Sequence, residues 1–294
     1  MSQREPRADA LPSYSAVILY YQLGDGIELT LSALAAQTHP PVEVVVVDND
    51  SGDGVLQRLL VEPGGIASWV RLVQLTSNHG YSGGMNRGVE ALQRPTENIL
   101  LLTHEVILDP DAAKEMSLLT RDSVAVGPIL ELPGGEIWST GGFLTRTGQP
   151  RHRVDAISGS ARPARWLDGA CLLVNKSAFS RVGGLDERYF LYWEDVDLGV
   201  RLNGVGSVLC SSAARAQQAT STAPIYFDSR NRLRFWRKQR RVDVALMSCG
   251  ELVLRLLFRD IPSGRRGSVQ ARLAGIRDGL RDNDTLEMNF VRGK

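Results

Sequence analysis

The feature that most limits the folds open to this chain is the run Val42-Glu43-Val44-Val45-Val46-Val47, bounded by Pro40-Pro41 and by Asp48. A strand so nearly free of polar residues reads as one covered on both faces, as when helices lie above and below a parallel sheet. Ahead of it, Ser15 to Tyr21 (SAVILYY) reads as a first buried strand. Leu29, Leu31, Leu34 and Ala35 then recur at helical spacing as far as Thr38. Strand, helix, strand is a βαβ unit, and its connection should be right-handed. Ligands of such sheets sit beyond the carboxyl ends of the strands. The acidic run Asp48-Asn49-Asp50-Ser51-Gly52-Asp53-Gly54 stands at such an end. These residue types form turns and cap helices. Equally, the Asp48 carboxylate can accept a hydrogen bond from N3–H of uracil or thymine.

Val70 to Leu75 reads as a third strand. Asn78-His79-Gly80-Tyr81-Ser82-Gly83-Gly84-Met85-Asn86-Arg87-Gly88 follows, with four glycines in nine residues. Read alone, it is a Gly-rich loop before a helix, where backbone can come close to a ligand. It is no P-loop, because no Lys-Ser/Thr closes it. Ile99 to Leu102 is a fourth strand that ends at Thr103-His104-Glu105. Asp109-Pro110-Asp111 fits a helix start with proline at the first helical position. Glu131 to Arg153, rich in Gly and Pro, reads as a hairpin or a lid over the site.

Trp166 to Gly204 concentrates the unusual chemistry. Asp168-Gly169-Ala170 leads into a buried strand from Cys171 to Val174, and a short helix from Ser177 stops at Gly183-Gly184. The aromatic cluster Tyr189-Phe190-Leu191-Tyr192-Trp193 then runs straight into Glu194-Asp195-Val196-Asp197. Asp195, Leu198 and Leu202 recur at helical spacing, so the acids occupy a first helical turn, where the helix dipole favours them. That placement alone needs no chemistry. A carboxylate between aromatic walls and a second acid is also what a general base with a tuned pKa requires.

The 294 residues suffice for one large domain, alone or with an appendage. Cys171, Cys210 and Cys249 are scattered, fit no metal spacing and suggest a reducing compartment. The start, MSQREPRADALPSY, is polar and proline-bearing, unlike a signal peptide. No apolar run approaches the roughly 20 residues that span a bilayer. The net charge of +1 hides a split: from Tyr226 onward 16 Lys/Arg face 8 Asp/Glu, leaving 18 against 25 before it. Arg230 to Arg241 holds seven basic residues and no acid, with Leu233, Phe235 and Trp236 interleaved. Val244 to Phe258 follows at helical spacing. No nucleic-acid motif accompanies the basic run. It reads as a solvated face or as a helical pair resting on anionic lipid headgroups.

Trp166-x-x-Gly169-Ala170, Gly183-Gly184-x-Asp186-Glu187 and Glu194-Asp195-x-Asp197-Leu198 together resemble the acceptor half of the inverting family 2 glycosyltransferases, in particular their rhamnosyltransferase-like branch. Asn78-x-Gly80 with Asn86-x-Gly88, the segment from Asp48 to Gly54, and Tyr226-x-x-x-Arg230-Asn231 are similar to further markers of that family. The resemblance implies a GT-A fold: a mainly parallel sheet between helices over residues 14–225, after a disordered tail 1–13 and before a basic helical region 226–294. It implies transfer from a nucleoside diphosphate sugar, dTDP-rhamnose or a UDP-sugar, to a hydroxyl of a saccharide or lipid-linked saccharide. Asp195 would be the base and Glu194 its partner. Asp48, Asp50, Asn78, Gly80, Asn86, Arg87, Glu105, Asp168, Gly169, Trp193 and Arg230 would contact the nucleotide sugar. Where the family carries a metal-binding Asp-x-Asp, this chain has Thr103-His104-Glu105, and the downstream metal-ligating His falls at Gln217 or Gln218. Glu105 alone is left as a ligand for Mg²⁺ or Mn²⁺. A homologue that binds sugar nucleotide or glycan without turnover is the alternative. The implied setting is cytoplasmic, peripheral on the inner face of a membrane, with no nucleic-acid partner; oligomeric state is not specified.

Overall fold

A computed structural model describes residues 10–22, 24, 26–61, 69–219 and 224–281. Residues 1–9 of the expected tail therefore lie outside the described residues. In chain order the first half runs β1 (Tyr14–Tyr20), α1 (Gly26–Ala35), β2 (Glu43–Asp48), α2 (Val55–Val61), β3 (Val70–Gln74), α3 (Gly80–Glu90) and β4 (Asn98–Thr103). The second continues with β5 (Val106–Leu108), α4 (Ala112–Leu119), β6 (Ala125–Glu131), β7 (Ile137–Ser139), β8 (Gly142–Leu144), β9 (Pro150–His152) and β10 (Ala161–Pro163). Then come β11 (Cys171–Asn175), α5 (Lys176–Arg181), α6 (Glu194–Leu202) and β12 (Val208–Gln218). The chain closes on α7 (Ile225–Lys238), α8 (Val242–Arg255) and α9 (Arg266–Arg281).

The sheet order is β3-β2-β1-β4-β11-β6-β12-β10. The first four strands are mutually parallel, as the βαβ reading requires. β11 enters antiparallel beside β4, and β6 pairs antiparallel with β11. β12 is parallel to β6. All seven residues of β1 are buried. Tyr14, Ala16, Ile18 and Tyr20 serve the core on one face, while Val17 and Leu19 serve the core on the other. This two-sided burial is why β1 and β2 read as apolar runs instead of alternating. Among the described residues no helix is long and apolar enough to cross a membrane.

Four sequence expectations change. The Gly-rich stretch is not a loop: α3 begins at Gly80 and contains Gly83, Gly84 and Gly88. A Cβ on Gly88 would stand 2.3 Å from Val17 Cγ1 and 2.8 Å from Val47 Cγ2, so its hydrogen lets α3 lie directly on β1 and β2. Pro110 precedes the α4 N-cap, Asp111, and is not the first helical residue. The strand expected to end at Cys210 continues to Gln218. The first half of the basic run is not a surface: Arg230, Arg232 and Arg234 are 1%, 2% and 2% exposed, whereas Arg237, Arg240 and Arg241 are exposed. Arg232 reaches Glu251 at 2.7 Å, and Lys238 reaches Asp197 at 2.8 Å. Their charge is spent on partners within the fold.

Gly88→Ala is expected to destabilise by about 1–3 kcal/mol through overpacking, against a helix-propensity gain of about 1 kcal/mol. Gly250→Ala, in α8 with nothing within 4 Å of its added Cβ, should instead stabilise slightly. Urea denaturation of both variants decides. Equal stability of the two would mean that α3 is not seated on the sheet this closely.

Candidate active site

Three segments build the site, and α6 carries its acids. The turn before α6 is held in an unusual backbone: Phe190, Tyr192 and Trp193 have φ of 65°, 66° and 75°. Non-glycine residues there each cost on the order of 1–3 kcal/mol, so their surroundings must impose the conformation. Asn231 of α7 does so, with Nδ2 2.9, 2.9 and 2.7 Å from the carbonyl oxygens of Tyr189, Leu191 and Tyr192. Trp193 Nε1 donates to Asp228 at 3.3 Å, and its ring lies 5.3 Å from that of Phe235. On the other side, the Phe190 carbonyl accepts from Tyr81 N at 2.7 Å. Gly80 is required at that contact: its φ is +69° and a Cβ would fall 2.3 Å from the Phe190 oxygen.

The carboxylates behind this turn have distinct environments. Asp197 is fully buried, with Arg201 Nε at 2.7 Å, Lys238 at 2.8 Å and the Tyr189 hydroxyl at 3.3 Å. It joins α6 to α7. Glu194 is 5% exposed, and its Oε2 has no partner among the described residues. Burial, then the charge of Asp195, push its pKa well above the carboxylate range. Asp195 opens onto the cleft. Burial and then the charge of Asp168 push it up to about 7, against the N–H groups of Val196 and Gly169. Its Oδ2 accepts from Gly169 N at 3.2 Å. Asp168 in turn accepts from Trp138 Nε1 at 3.2 Å and lies 3.5 Å from His152 Nε2. Burial lowers the His152 pKa despite Asp168. The His152 ring sits between Trp138 and Trp166, with centroids 4.9 and 4.8 Å away.

These groups line a cleft of about 630 Å³, within the range of small-molecule sites. Of the residues singled out in the sequence, Asp168, Gly169, Trp193, Glu194 and Asp195 meet there. The other residues expected to contact the nucleotide sugar do not line it. Asp48, 3% exposed at the end of β2, accepts from Ser51 N at 2.9 Å, and Asp50 follows at φ 65°. Asn78 accepts from Gly80 N at 2.8 Å and from Asn49 Nδ2 at 3.0 Å, pinning the β2 loop to α3. Asn86 exchanges both backbone bonds with Leu185, at 2.9 and 3.0 Å. Arg87 pairs with Glu187 at 3.1 Å, and Arg230 donates to the Arg188 carbonyl at 2.9 Å. Both arginines brace protein where a contact with the nucleotide sugar was expected. Trp138 and His152 were missed because the Gly- and Pro-rich hairpin carries no spacing signal. Tyr81, which donates to the Gly169 carbonyl, lay in view as the aromatic after Gly80.

At the end of β4, Thr103 reaches the cleft. His104 is 8% exposed, with Nδ1 2.9 Å from the Leu19 carbonyl and a pKa lowered by burial. Glu105 is then the one carboxylate at this position. Among the described residues no three His, Cys, Asp or Glu side chains form a group able to hold a metal. These residues do not fit a protein-held divalent cation, which takes several oxygen ligands.

The sequence profile described as "Glycosyltransferase like family 2" matches residues 12–240. The chain is similar to the N-acetylglucosaminyl-diphospho-decaprenol L-rhamnosyltransferase of Mycobacterium tuberculosis, with 33% identity over 227 residues, 67% of this chain and 72% of that protein. Its fold is similar to that of S. aureus TarS 1-349 in complex with UDP-GlcNAc, with a TM-score of 0.61, 13% identity and coverage of 92% and 81% of the two chains. It is also similar to the mannosyltransferase PcManGT from Pyrobaculum calidifontis in complex with GDP-Man and Mn2+, with a TM-score of 0.59, 13% identity and coverage of 94% and 89%.

Proposed function

The chain belongs to glycosyltransferase family 2, and on that footing we propose that it moves one sugar from a nucleoside diphosphate donor to an acceptor hydroxyl with inversion at the anomeric carbon. The observation that carries this reading is Asp195: a carboxylate on the wall of the cleft, its pKa raised to about 7, beside the buried carboxyl of Glu194, whose pKa is also raised. Ionised, it takes the proton of the acceptor hydroxyl as that oxygen bonds to the anomeric carbon. The bond from that carbon to the diphosphate breaks on the opposite face, and the nucleoside diphosphate leaves with the electron pair. A base whose pKa lies near the working pH is the efficient one. Trp166 and Trp193, each 4% exposed, lend the wall of the cleft beside it an apolar character.

The similarity to an L-rhamnosyltransferase named for an N-acetylglucosaminyl-diphospho-decaprenol supports dTDP-rhamnose as donor and a lipid-linked saccharide as acceptor. A UDP-sugar donor and a free saccharide acceptor are the other members of the two classes. The position of Asp48 at the carboxyl end of β2 supports a contact with the base of the nucleotide. Such a reaction belongs on the inner face of a membrane, in the assembly of a cell-surface polysaccharide or glycoconjugate. The test is to incubate the protein with dTDP-rhamnose and a panel of UDP-sugars and a polyprenyl diphosphate sugar. Nucleoside diphosphate release and the anomeric configuration of the product are then read by NMR. Binding without release of diphosphate, with the full panel, would select the non-catalytic homologue favoured by the single carboxylate at Glu105.

No step above passes through a metal ion. The expected result on chelation is therefore modest: turnover should change little at trace metal and respond only to millimolar Mg²⁺ or Mn²⁺ carried in by the donor phosphates. Glu105→Ala should blunt that response and leave metal-free donor binding, read by thermal shift, unchanged. Dependence on sub-micromolar metal would require a complete ligand set and refute this reading.

A further inference from the structure

Helix α8 and the turn after it present an outward face of the wrong chemistry for water. Val242, Leu246, Met247, Val253, Leu254, Leu257, Phe258 and Ile261 are 66%, 68%, 46%, 38%, 54%, 49%, 77% and 51% exposed. They recur at steps of three and four along one side, over 20 residues or about 30 Å of helix. The opposite side is seated on the protein through Val244, Ser248, Leu252 and Leu256. A helix resting on a globular protein should turn its polar side to solvent. Here the exposed side holds Asp243, paired with Arg241, and is otherwise apolar from Val242 to Phe258 apart from Gly250. A contiguous apolar face of this kind marks an interaction surface.

The charges beside it choose the partner. Arg259, Arg265 and Arg266 are exposed at the C-terminal end of the stripe. The two acids between Val244 and Arg277 are neutralised inside the fold: Glu251 by Arg232 and Arg255, Asp260 by Arg272. Among the described residues the surface is thus an apolar stripe with a cationic C-terminal end, suited to an anionic bilayer.

α8 is also coupled to the cleft. Glu251 accepts from Gln149, and Trp236 Nε1, from the neighbouring α7, donates to the Gly148 carbonyl at 2.9 Å. Gly148 and Gln149 form the turn of the β8–β9 hairpin, whose Pro150 and His152 line the cleft. A bilayer under α8 would therefore lie one hairpin away from the carboxylates. We propose that the Val242–Ile261 face is a membrane-docking surface for anionic lipid, which sinks its apolar side chains at the acyl boundary and brings the cleft to a lipid-linked acceptor. The role given to the acceptor rests on the transfer reading above; the docking itself does not.

The test uses the full chain and vesicles of phosphatidylcholine, with or without one-third phosphatidylglycerol, in a flotation assay. Binding is expected to the anionic vesicles, weakening roughly tenfold or more in high salt as the arginines are screened. Leu254→Glu with Phe258→Glu should abolish it, and Arg265→Glu with Arg266→Glu should cost roughly tenfold to a hundredfold. Both pairs are exposed, so melting temperature and transfer to a water-soluble acceptor should match the parent chain. Failure of the parent to bind, or parent-like binding by Leu254→Glu/Phe258→Glu, overturns the proposal. So does light scattering that shows a dimer which this variant dissociates, because the stripe would then be a contact between copies. Transfer without vesicle binding sinks the docking alone, whereas vesicle binding without transfer sinks the enzymatic reading alone.

Discussion

Asp195→Asn is expected to lower turnover by about 10²–10⁴-fold, or roughly 3–5 kcal/mol of transition-state stabilisation, while donor affinity stays within a few-fold. The amide keeps the size and can still accept from Gly169 N, but it cannot take the acceptor's proton. In the parent enzyme, kcat/KM should climb with pH and level off above about 7, where Asp195 is ionised. The same substitution should raise thermal stability. The folded pKa of Asp195 stands above its unfolded value near 4, so the native state binds the proton more tightly. Stability from this group is present below the unfolded pKa and is lost as pH rises through about 7. Removing the carboxyl restores it at neutral and alkaline pH. Activity lost and melting temperature gained together would identify a group kept strained for catalysis. Asp197→Asn should behave oppositely: it weakens a buried contact with Arg201 and Lys238, so its first effect is a lower melting temperature. Near-normal transfer by Asp195→Asn, with turnover lost in Asp197→Asn, would transfer the base to Asp197.

The parallel half was legible because its physics is local. Val44 to Val47 can only be covered on both faces, and the acids after Val47 mark a carboxyl end. The acidic cluster was legible for a similar reason: Glu194, Asp195 and Asp197 share one helical turn. What the chain order hid was the use made of side chains across long separations. Arg230 and Arg232 looked like surface charge because seven of the twelve residues from Arg230 to Arg241 are basic, and spacing does not reveal a buried carbonyl or Glu251 waiting for them. Asn78 and Asn86 looked like ligand contacts and serve as clamps on the β2 loop and on Leu185. The glycines of α3 looked like room for a ligand, yet Gly88 makes room for Val17 and Val47. A motif shared across a family reports that a position matters. It does not report whether the position touches the substrate or the residue that does.

The strongest case of that second kind is Asn231, and its replacement carries the other large expected effect. Within the turn itself, Leu191 N donates to the Tyr189 carbonyl at 2.8 Å across Phe190, which leaves Tyr192 and Trp193 at positive φ to be held from outside. The amide nitrogen of Asn231, within 2.9 Å of three carbonyl oxygens, is the group that gathers them. Asn231→Ala leaves those buried acceptors short of a donor, at about 1–3 kcal/mol for each one left unsatisfied, and releases the turn toward ordinary backbone. A loss of roughly 2–5 kcal/mol in stability is expected, together with a fall in turnover of about 10²-fold, because Glu194 and Asp195 follow directly and small displacements of a base are costly. Asn231→Asp separates donor from size. It preserves the shape and the acceptor facing Arg230 but turns a second oxygen on the three carbonyls, so it should be at least as damaging as alanine. Donor affinity measured by thermal shift should move far less than turnover in both variants, since neither substitution reaches Asp48. An Asn231→Asp protein with parental melting temperature and turnover would show that the aromatic turn is held by its own packing and that α7 has no part in placing the base.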